Sequence, residues 1–193
     1  ARLADLEELR LVVCGSARSR PARAAEKLAE KLGLGERVLW RWELPPPELE
    51  PWLSNALLSV APLRACSRNV EQGCAPLKVL ESLAAGIPVV ASDLPPVREI
   101  VTDGVEGRLV APDRPADLAR AIRLLLHLPG QREEMAAAAR RKAERELSWD
   151  RSVALLKDVY RSLRPAAAAY SVTNPTPEDE HVQGSQGVPV ALA

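Results

Sequence analysis

The chain has no phenylalanine, only two histidines and three cysteines, and no long apolar run, and each shortage argues against a class of function. Cys14, Cys66 and Cys74 form no metal or disulfide spacing, and with only His127 and His181 beside them no metal site is expected. Reduced thiols and a cytoplasmic setting are the natural expectation. No stretch approaches the ~18 consecutive apolar residues of a membrane span, and the first residues carry no signal-peptide pattern. No transmembrane segment is therefore expected. Four Trp and two Tyr are few for a base-stacking surface, and a formal net charge of zero supplies no basic footprint, so no nucleic-acid partner is expected either. Glycine is short where a phosphate loop would need it. After the apolar run Leu11–Cys14, the segment Gly15-Ser16-Ala17-Arg18-Ser19-Arg20 has a single glycine, so neither the dinucleotide fingerprint nor the Walker loop is present.

What is there suits one globular domain and a tail: 193 residues, 47% hydrophobic and 27% charged. The chain opens on Ala1 rather than Met, as a fragment of a longer protein would. Residues 1–9 read as the end of a helix, and apolar runs at Leu11–Cys14, Arg37–Trp42, Leu57–Pro62, Pro88–Ser92 and Arg108–Val110 read as strands. Between and after them the periodicity predicts helices at Ala22–Leu32, Glu48–Asn55, Pro76–Ala85 and Pro95–Val101, one opening at Pro115, one over Arg132–Glu146, and a last one capped by Ser148 and running to Leu163. Strands alternating with helices imply an α/β fold: a Rossmann-like parallel sheet with helices on both faces, over residues 1–164. From 165 to 193 Pro, Ser, Thr, Gln and Gly dominate without an apolar face, which predicts a disordered tail. Arg18, Arg20 and Arg23 read as solvated surface, and Trp40 and Trp42, which share one strand parity, as core side chains rather than a platform for a base.

The rest of the chain is organised around Gln72–Ala91: a tight turn, a short helix, a glycine stop and a buried strand. Pro76 suits the first helical position and Gly86 the position just past the end. Ala75 has no side-chain oxygen to cap the helix, so the backbone N–H groups of Leu77 and Lys78 are expected to lack internal partners, and free donors at a helix N-terminus suit a phosphate. Leu77, Leu80 and Ala84, with Val79 and Leu83, form the expected inner face, while Lys78, Glu81 and Ser82 fall together on another. One carboxylate, Glu81, is thereby set a single turn above a candidate anion site. An isolated helix would allow a plainer reading, an i, i+3 ion pair of Lys78 with Glu81.

This stretch resembles the donor-binding motif of retaining glycosyltransferases with the GT-B fold, in the large family four of sucrose-synthase-like and mannosyltransferase-like enzymes. Their pattern is a Glu, a glycine-containing turn, a proline, a helix with a second Glu, then Gly and x-Pro-Val-Val-Ala. Glu81 matches the second glutamate, and Leu83–Ala91 matches the helix end, the Gly and the x-Pro-Val-Val-Ala strand beyond it. Gly73 stands where the first glutamate would be, and the segment matches a variant subgroup reading Gln-Gly-Cys-x-Pro-Leu-Lys at Gln72, Gly73, Cys74, Pro76, Leu77 and Lys78. Arg68 and Asn69 match Arg-Asn in the same subgroup.

The resemblance, over roughly residues 9–163, implies the C-terminal half of a GT-B enzyme that moves a sugar from a nucleotide diphosphate to an acceptor with retention. It implies that Glu81 binds ribose hydroxyls, and that backbone N–H groups around Gly73, Cys74, Ala75, Leu77 and Lys78 hold the diphosphate. Arg68 is implied as a donor or acceptor contact. In the family the first glutamate contacts donor-sugar hydroxyls, a group absent at Gly73. The expected partners are a nucleotide sugar and an N-terminal, acceptor-binding domain upstream, without which the chain alone is expected to be inactive; no cofactor is expected, and the catalytic residues stay unassigned. Two other readings remain open at this level: a non-catalytic Rossmann-like interaction module, and another Rossmann-like enzyme, such as a GT-B epimerase or a nicotinamide-dependent enzyme, the latter weakened by the missing glycine pattern.

Overall fold

The structure, a computed structural model, describes residues 1–15 and 19–163. Arg18 and the tail expected at 165–193 lie outside those residues. Among the described residues there are five strands, each where apolar periodicity places one: β1 (Leu11–Gly15), β2 (Val38–Trp42), β3 (Ser59–Ala61), β4 (Val89–Ser92) and β5 (Gly107–Val110). The helices are α1 (Arg20–Lys31), α2 (Pro46–Ser54), α3 (Ser67–Val70), α4 (Leu77–Ala84), α5 (Pro95–Arg98), α6 (Pro115–His127), α7 (Pro129–Glu146) and α8 (Trp149–Leu163). α1 starts earlier than its apolar spacing suggests because Ser19 caps it, its Oγ accepting from the Ala22 N–H at 3.3 Å.

Two expectations are corrected here. Residues 1–9 are a chain of turns, not a helix end: the N–H groups of Ala4, Leu6 and Leu9 donate to the carbonyls of Ala1, Leu3 and Leu6. The Arg37 guanidinium gathers the carbonyls of Leu3, Ala4, Leu6 and Leu9, so those oxygens are spent on a distant side chain instead of a helical ladder. The segment is also pinned by Asp5, whose carboxylate accepts from Arg123 on α6 at 2.6 and 2.8 Å. The second correction concerns the sheet. All pairings are parallel as expected, but among the described residues they form two sheets, β1–β2 and β3–β4–β5, because there β1 pairs only with β2 and β3 only with β4.

β4 is the centre of the larger sheet, and all four of its residues are buried, as a parallel strand covered on both faces requires. One buried cluster joins Ala61, Val79, Leu83, Val89, Ala91, Leu94, Val97 and Val101 to Ala139 and Ala143 of α7; a second joins Val90 to Ala121, Leu125 and Met135. Neither cluster draws a residue from β1, α1, β2 or α2. β5 approaches β4 closely enough that Gly107 lies directly against the Val89 backbone. Beside it Glu106 is buried, accepting from the Thr102 N–H at 2.7 Å and paired with Lys142 of α7 at 3.5 Å, so the ion pair is desolvated but satisfied.

α4 ends as the sequence predicts. Gly86 takes φ +70°, its N–H donates to the Leu83 carbonyl and the Ile87 N–H to that of Ser82, which is a Schellman stop. Its buried face differs from the expected one: Val79, Ser82 and Leu83 are inside, and Leu77 is 64% exposed. Ser82 is tolerated there because its hydroxyl donates to the Lys78 carbonyl at 2.6 Å and accepts from Ser59 Oγ at 2.7 Å. Residues Ala1–Ser152 form one compact unit, and α8 runs into a second that starts at Val153. α8 is capped as expected, with Ser148 Oγ accepting from the Arg151 N–H at 3.2 Å.

Candidate functional site

In parallel sheets every strand ends at the same edge, and loops leaving that edge are where ligands are held. The segment 62–76 leaves β3 at its C-terminal end and leads into α4, whose last turn returns to the start of β3 through the Ser59–Ser82 hydroxyl bond. The N-terminus of α4 therefore opens at the C-terminal edge of the larger sheet, carrying Gly73, Cys74, Ala75, Leu77 and Lys78 with it.

The helix start differs in detail from the expected one. Pro76 is the cap, with ψ 79°, rather than the first helical residue. Its carbonyl takes the N–H groups of Val79 and Leu80, while the Leu77 N–H bends back onto the Ala75 carbonyl at 2.9 Å. Of the two donors expected to be free, only that of Lys78 lacks an acceptor among the described residues. No side chain caps the helix. Gly73 holds φ +75°, and a Cβ built on it would meet nothing within 4 Å, so glycine is there for the backbone and not for lack of space. Lys78 and Glu81 are both exposed, and no ion pair joins them or engages Glu81 among the described residues. The plain reading of Glu81 as half of a helix-surface pair is thus not what the side chains do.

The loop before the motif is more ordered than its lack of periodicity suggests. It contains the single turn α3, held by the Asn69 side-chain amide donating to the Arg64 carbonyl at 2.8 Å and by Ser67 Oγ donating to Glu71 at 2.9 Å. Short hydroxyl and amide bonds of this kind leave no apolar period to read. Arg68 on that turn is exposed, and α3 packs beside α5, the turn that follows β4. There Asp93 receives two hydrogen bonds from Arg98, at 2.5 and 2.9 Å, so Arg98 ties α5 to the end of β4.

The Arg98 hydrogen bonds hold the Asp93 carboxyl below the usual carboxylate range. A group whose pKa is depressed by folding adds stability above its unfolded value, ~3.9, and loses it as pH falls through the folded value. Asp93→Asn is expected to lower the melting temperature slightly at pH 7, since the pair is exposed and screened, and by less at high salt and at pH 2, where the carboxylate is losing its charge. Melts at the two pH values check it; an equal deficit at both would assign the effect to something other than ionisation.

Trp40 and Trp42 stack on each other at 5.8 Å, and Trp42 donates to buried Glu26 at 3.2 Å and lies against Gly15, so both serve packing. Glu26 is a buried carboxylate that no sequence pattern singles out. A cavity of about 280 Å³ between β5 and α6, lined by Arg108, Val110, Asp117, Arg120 and Leu124 among others, takes no residue from 62–78. Among the described residues no cluster of three or more His, Cys, Asp or Glu is placed to hold a metal, and no helix is long and apolar enough to cross a membrane.

Residues 1–142 match the family model described as glycosyl transferases group 1. The chain is 37% identical over 155 residues to the D-inositol 3-phosphate glycosyltransferase of Thermomonospora curvata, covering 80% of this chain and 34% of that protein. It is likewise 37% identical over 156 residues to the protein of the same name from Xylanimonas cellulosilytica, covering 80% and 36%. The chain thus spans about a third of the length of the curated relatives it matches. In fold it is similar to the sucrose-phosphate synthase of Thermosynechococcus elongatus, with a TM-score of 0.72 at 24% identity, covering 84% of this chain and 40% of that one. It is similar also to Anabaena HepE solved with UDP-glucose, with a TM-score of 0.67 at 20% identity, covering 84% and 44%. These neighbours have the GT-B fold, of which the parallel sheets and flanking helices here form one part. With three quarters of its length inside the family model, the chain belongs to the group 1 glycosyltransferases.

Proposed function

We propose that the chain is the donor-binding half of a glycosyltransferase that moves a sugar from a nucleotide diphosphate to an acceptor with retention of configuration. The observation that carries this is the start of α4: an uncapped helix N-terminus at the strand edge, with the Lys78 N–H free and the unpaired carboxylate of Glu81 one turn along the same face. A diphosphate accepts from such N–H groups, and the helix dipole favours its charge. The Glu81 carboxylate, one turn deeper, accepts from the two ribose hydroxyls. Backbone donors from Gly73 to Lys78 complete the anion cradle, and the positive φ of Gly73 lets the turn close around a phosphate. Position 73 brings no carboxylate to the sugar, so Arg68 on the neighbouring turn is the side chain assigned to donor or acceptor. The acceptor is bound mainly by an N-terminal domain that pairs with this one. No cofactor beyond the nucleotide-sugar substrate is needed.

The bound UDP-glucose of the Anabaena protein makes uridine nucleotides the first to test. Glu81→Ala is expected to weaken UDP binding by about 1.5–3 kcal/mol, the range for hydrogen bonds to a charged group, with the fold intact because Glu81 is exposed. Titration calorimetry on both forms checks it, and 2′-deoxy-UDP should show part of the same loss with wild type. Equal affinities for wild type and variant would remove the ribose role; no nucleotide binding by either would favour an interaction module.

A further inference from the structure

Between β3 and α4 the chain folds on itself before it reaches the proposed donor turn. The Cys66 N–H and the Asn69 side-chain amide both donate to the Arg64 carbonyl, at 3.0 and 2.8 Å. The N–H groups of Asn69 and Val70 donate to the Cys66 carbonyl, and those of Glu71 and Gln72 to the Ser67 carbonyl. Ser67 Oγ adds its bond to Glu71 at 2.9 Å. Among the described residues, every hydrogen bond made by 64–72 stays inside 64–72. The segment meets the rest of the domain through the Arg64–Asp113 ion pair, 3.8 Å apart and exposed on both sides, and through α3 beside α5.

Burial inverts the usual order in this self-bonded unit. Of residues 64–73 only Asn69 is not exposed, whereas the apolar Val70 is 45% exposed. A polar side chain turned inward is normally there for the hydrogen bond it makes. The Arg64 carbonyl lies five residues back, beyond the four-residue reach of the α-helical ladder, so the amide joins the entry of the unit to its turn. The unit ends where unpartnered donors begin. Gln72 is the last residue held, and the N–H groups of Gly73, Cys74 and Ala75 that follow have no acceptor among the described residues. Gly73, at φ +75°, turns the chain between the two. The direction of those three N–H groups therefore depends on where Gln72 is put. Neither buried cluster takes a residue from 64–73, so it is hydrogen bonding and not apolar packing that sets it.

We propose that Asn69 is a positioning residue for the donor: its amide fastens the turn 66–72 to the Arg64 carbonyl and so holds Arg68 and the N–H groups of 73–75 in the shape that meets a diphosphate before any ligand arrives. This role rests on the donor-binding reading given above. Asn69 acts through those groups and not by contact with the ligand. Without its amide the unit keeps the backbone bonds of a single turn, which are marginal by themselves. The segment then has to be ordered on binding, and that ordering weakens affinity.

The test compares the full-length protein its gene encodes with the Asn69→Ala and Asn69→Asp variants, the second of which keeps the side-chain size but has no N–H to give the Arg64 carbonyl. Titration calorimetry with UDP is expected to show a Kd about tenfold higher in both variants, in the range for one lost hydrogen bond, at an unchanged stoichiometry. A fall in stoichiometry at an unchanged Kd is what general destabilisation would give, and it would overturn the role. Hydrogen exchange read by mass spectrometry on peptides covering 64–76 is expected to be faster in the variants than in wild type without UDP, and equal at saturating UDP. The melting temperature should stay within ~2 °C of wild type, since the buried clusters lie elsewhere. UDP binding by the wild type that either variant matches would overturn the role and leave the donor reading in place. So would exchange over 64–76 as slow in the variants as in wild type without UDP. No UDP binding by the wild type would overturn the donor reading, and this role with it.

Discussion

Incubated with labelled nucleotide sugars and candidate acceptors, the 193-residue chain is expected to transfer no sugar, while the full-length protein transfers it. The site proposed above is one wall: backbone donors and the Glu81 carboxylate at the start of α4. Sugar transfer needs the acceptor hydroxyl held against the anomeric carbon and positive charge held against the departing diphosphate. Among the side chains of the motif only Lys78 is cationic. Positioning alone can lower a barrier by ~7–11 kcal/mol, and electrostatic stabilisation in a closed cleft adds to it, so losing both leaves turnover at least ~100,000-fold down. Nucleotide binding, which needs only this wall, should survive better than turnover. Transfer by the chain at a rate comparable with the full-length protein would refute the half-site reading, whatever the nucleotide affinity.

The largest effect on stability is expected at Gly107. A Cβ there would lie 2.0 Å from the Val89 carbonyl oxygen and 2.9 Å from its N and C atoms, and backbone in the middle of a sheet cannot step aside as a side-chain tip can. Val89 is fully buried and sits between β3 and β5, so Gly107→Ala forces β5 off β4. The loss should exceed ~4 kcal/mol, a value reserved for a few mechanisms and a large part of the ~5–15 kcal/mol a domain has. Gly104→Ala is the comparison. That residue holds φ +81° with nothing within 4 Å of its Cβ, so it carries only the left-handed penalty of ~1–2 kcal/mol. Urea unfolding followed by circular dichroism ranks the two; a Gly107→Ala protein as stable as the Gly104→Ala one would show that the strands part at little expense.

How local a feature's causes are decides whether it was legible in the sequence. The five strands could be read because short apolar runs are local, and the Gly86 stop and the Ser148 cap rest on residues within a turn of each other. The turns at 1–9 could not, because their carbonyls are held by Arg37, far along the chain. Helical spacing sets Ser82 beside Lys78 and Glu81 on the polar face of α4; its burial depends on Ser59, a partner on another element. Buried Glu26 and Glu106 likewise depend on Trp42 and Lys142. At the site, the order turn, proline, helix, glycine was enough to mark α4 and its stop. That Pro76 would cap the helix, and that Leu77 would turn its N–H back onto Ala75, depends on backbone angles a pattern does not contain.

The uneven distribution of the buried clusters bears on how unfolding would be seen. Both buried clusters lie between Ala61 and Ala143, and α4 is clamped into them by α7, whose Arg140 donates to the Ala84 carbonyl at 2.5 Å. The indoles are elsewhere: Trp40, Trp42 and Trp52 belong to β2 and α2, and Trp149 is 85% exposed. Intrinsic fluorescence therefore reports the lightly packed section of the molecule, and helical ellipticity mainly the heavily packed one. The two signals need not share a midpoint, and a fluorescence transition read as global unfolding would understate the durability of the section that holds the start of α4.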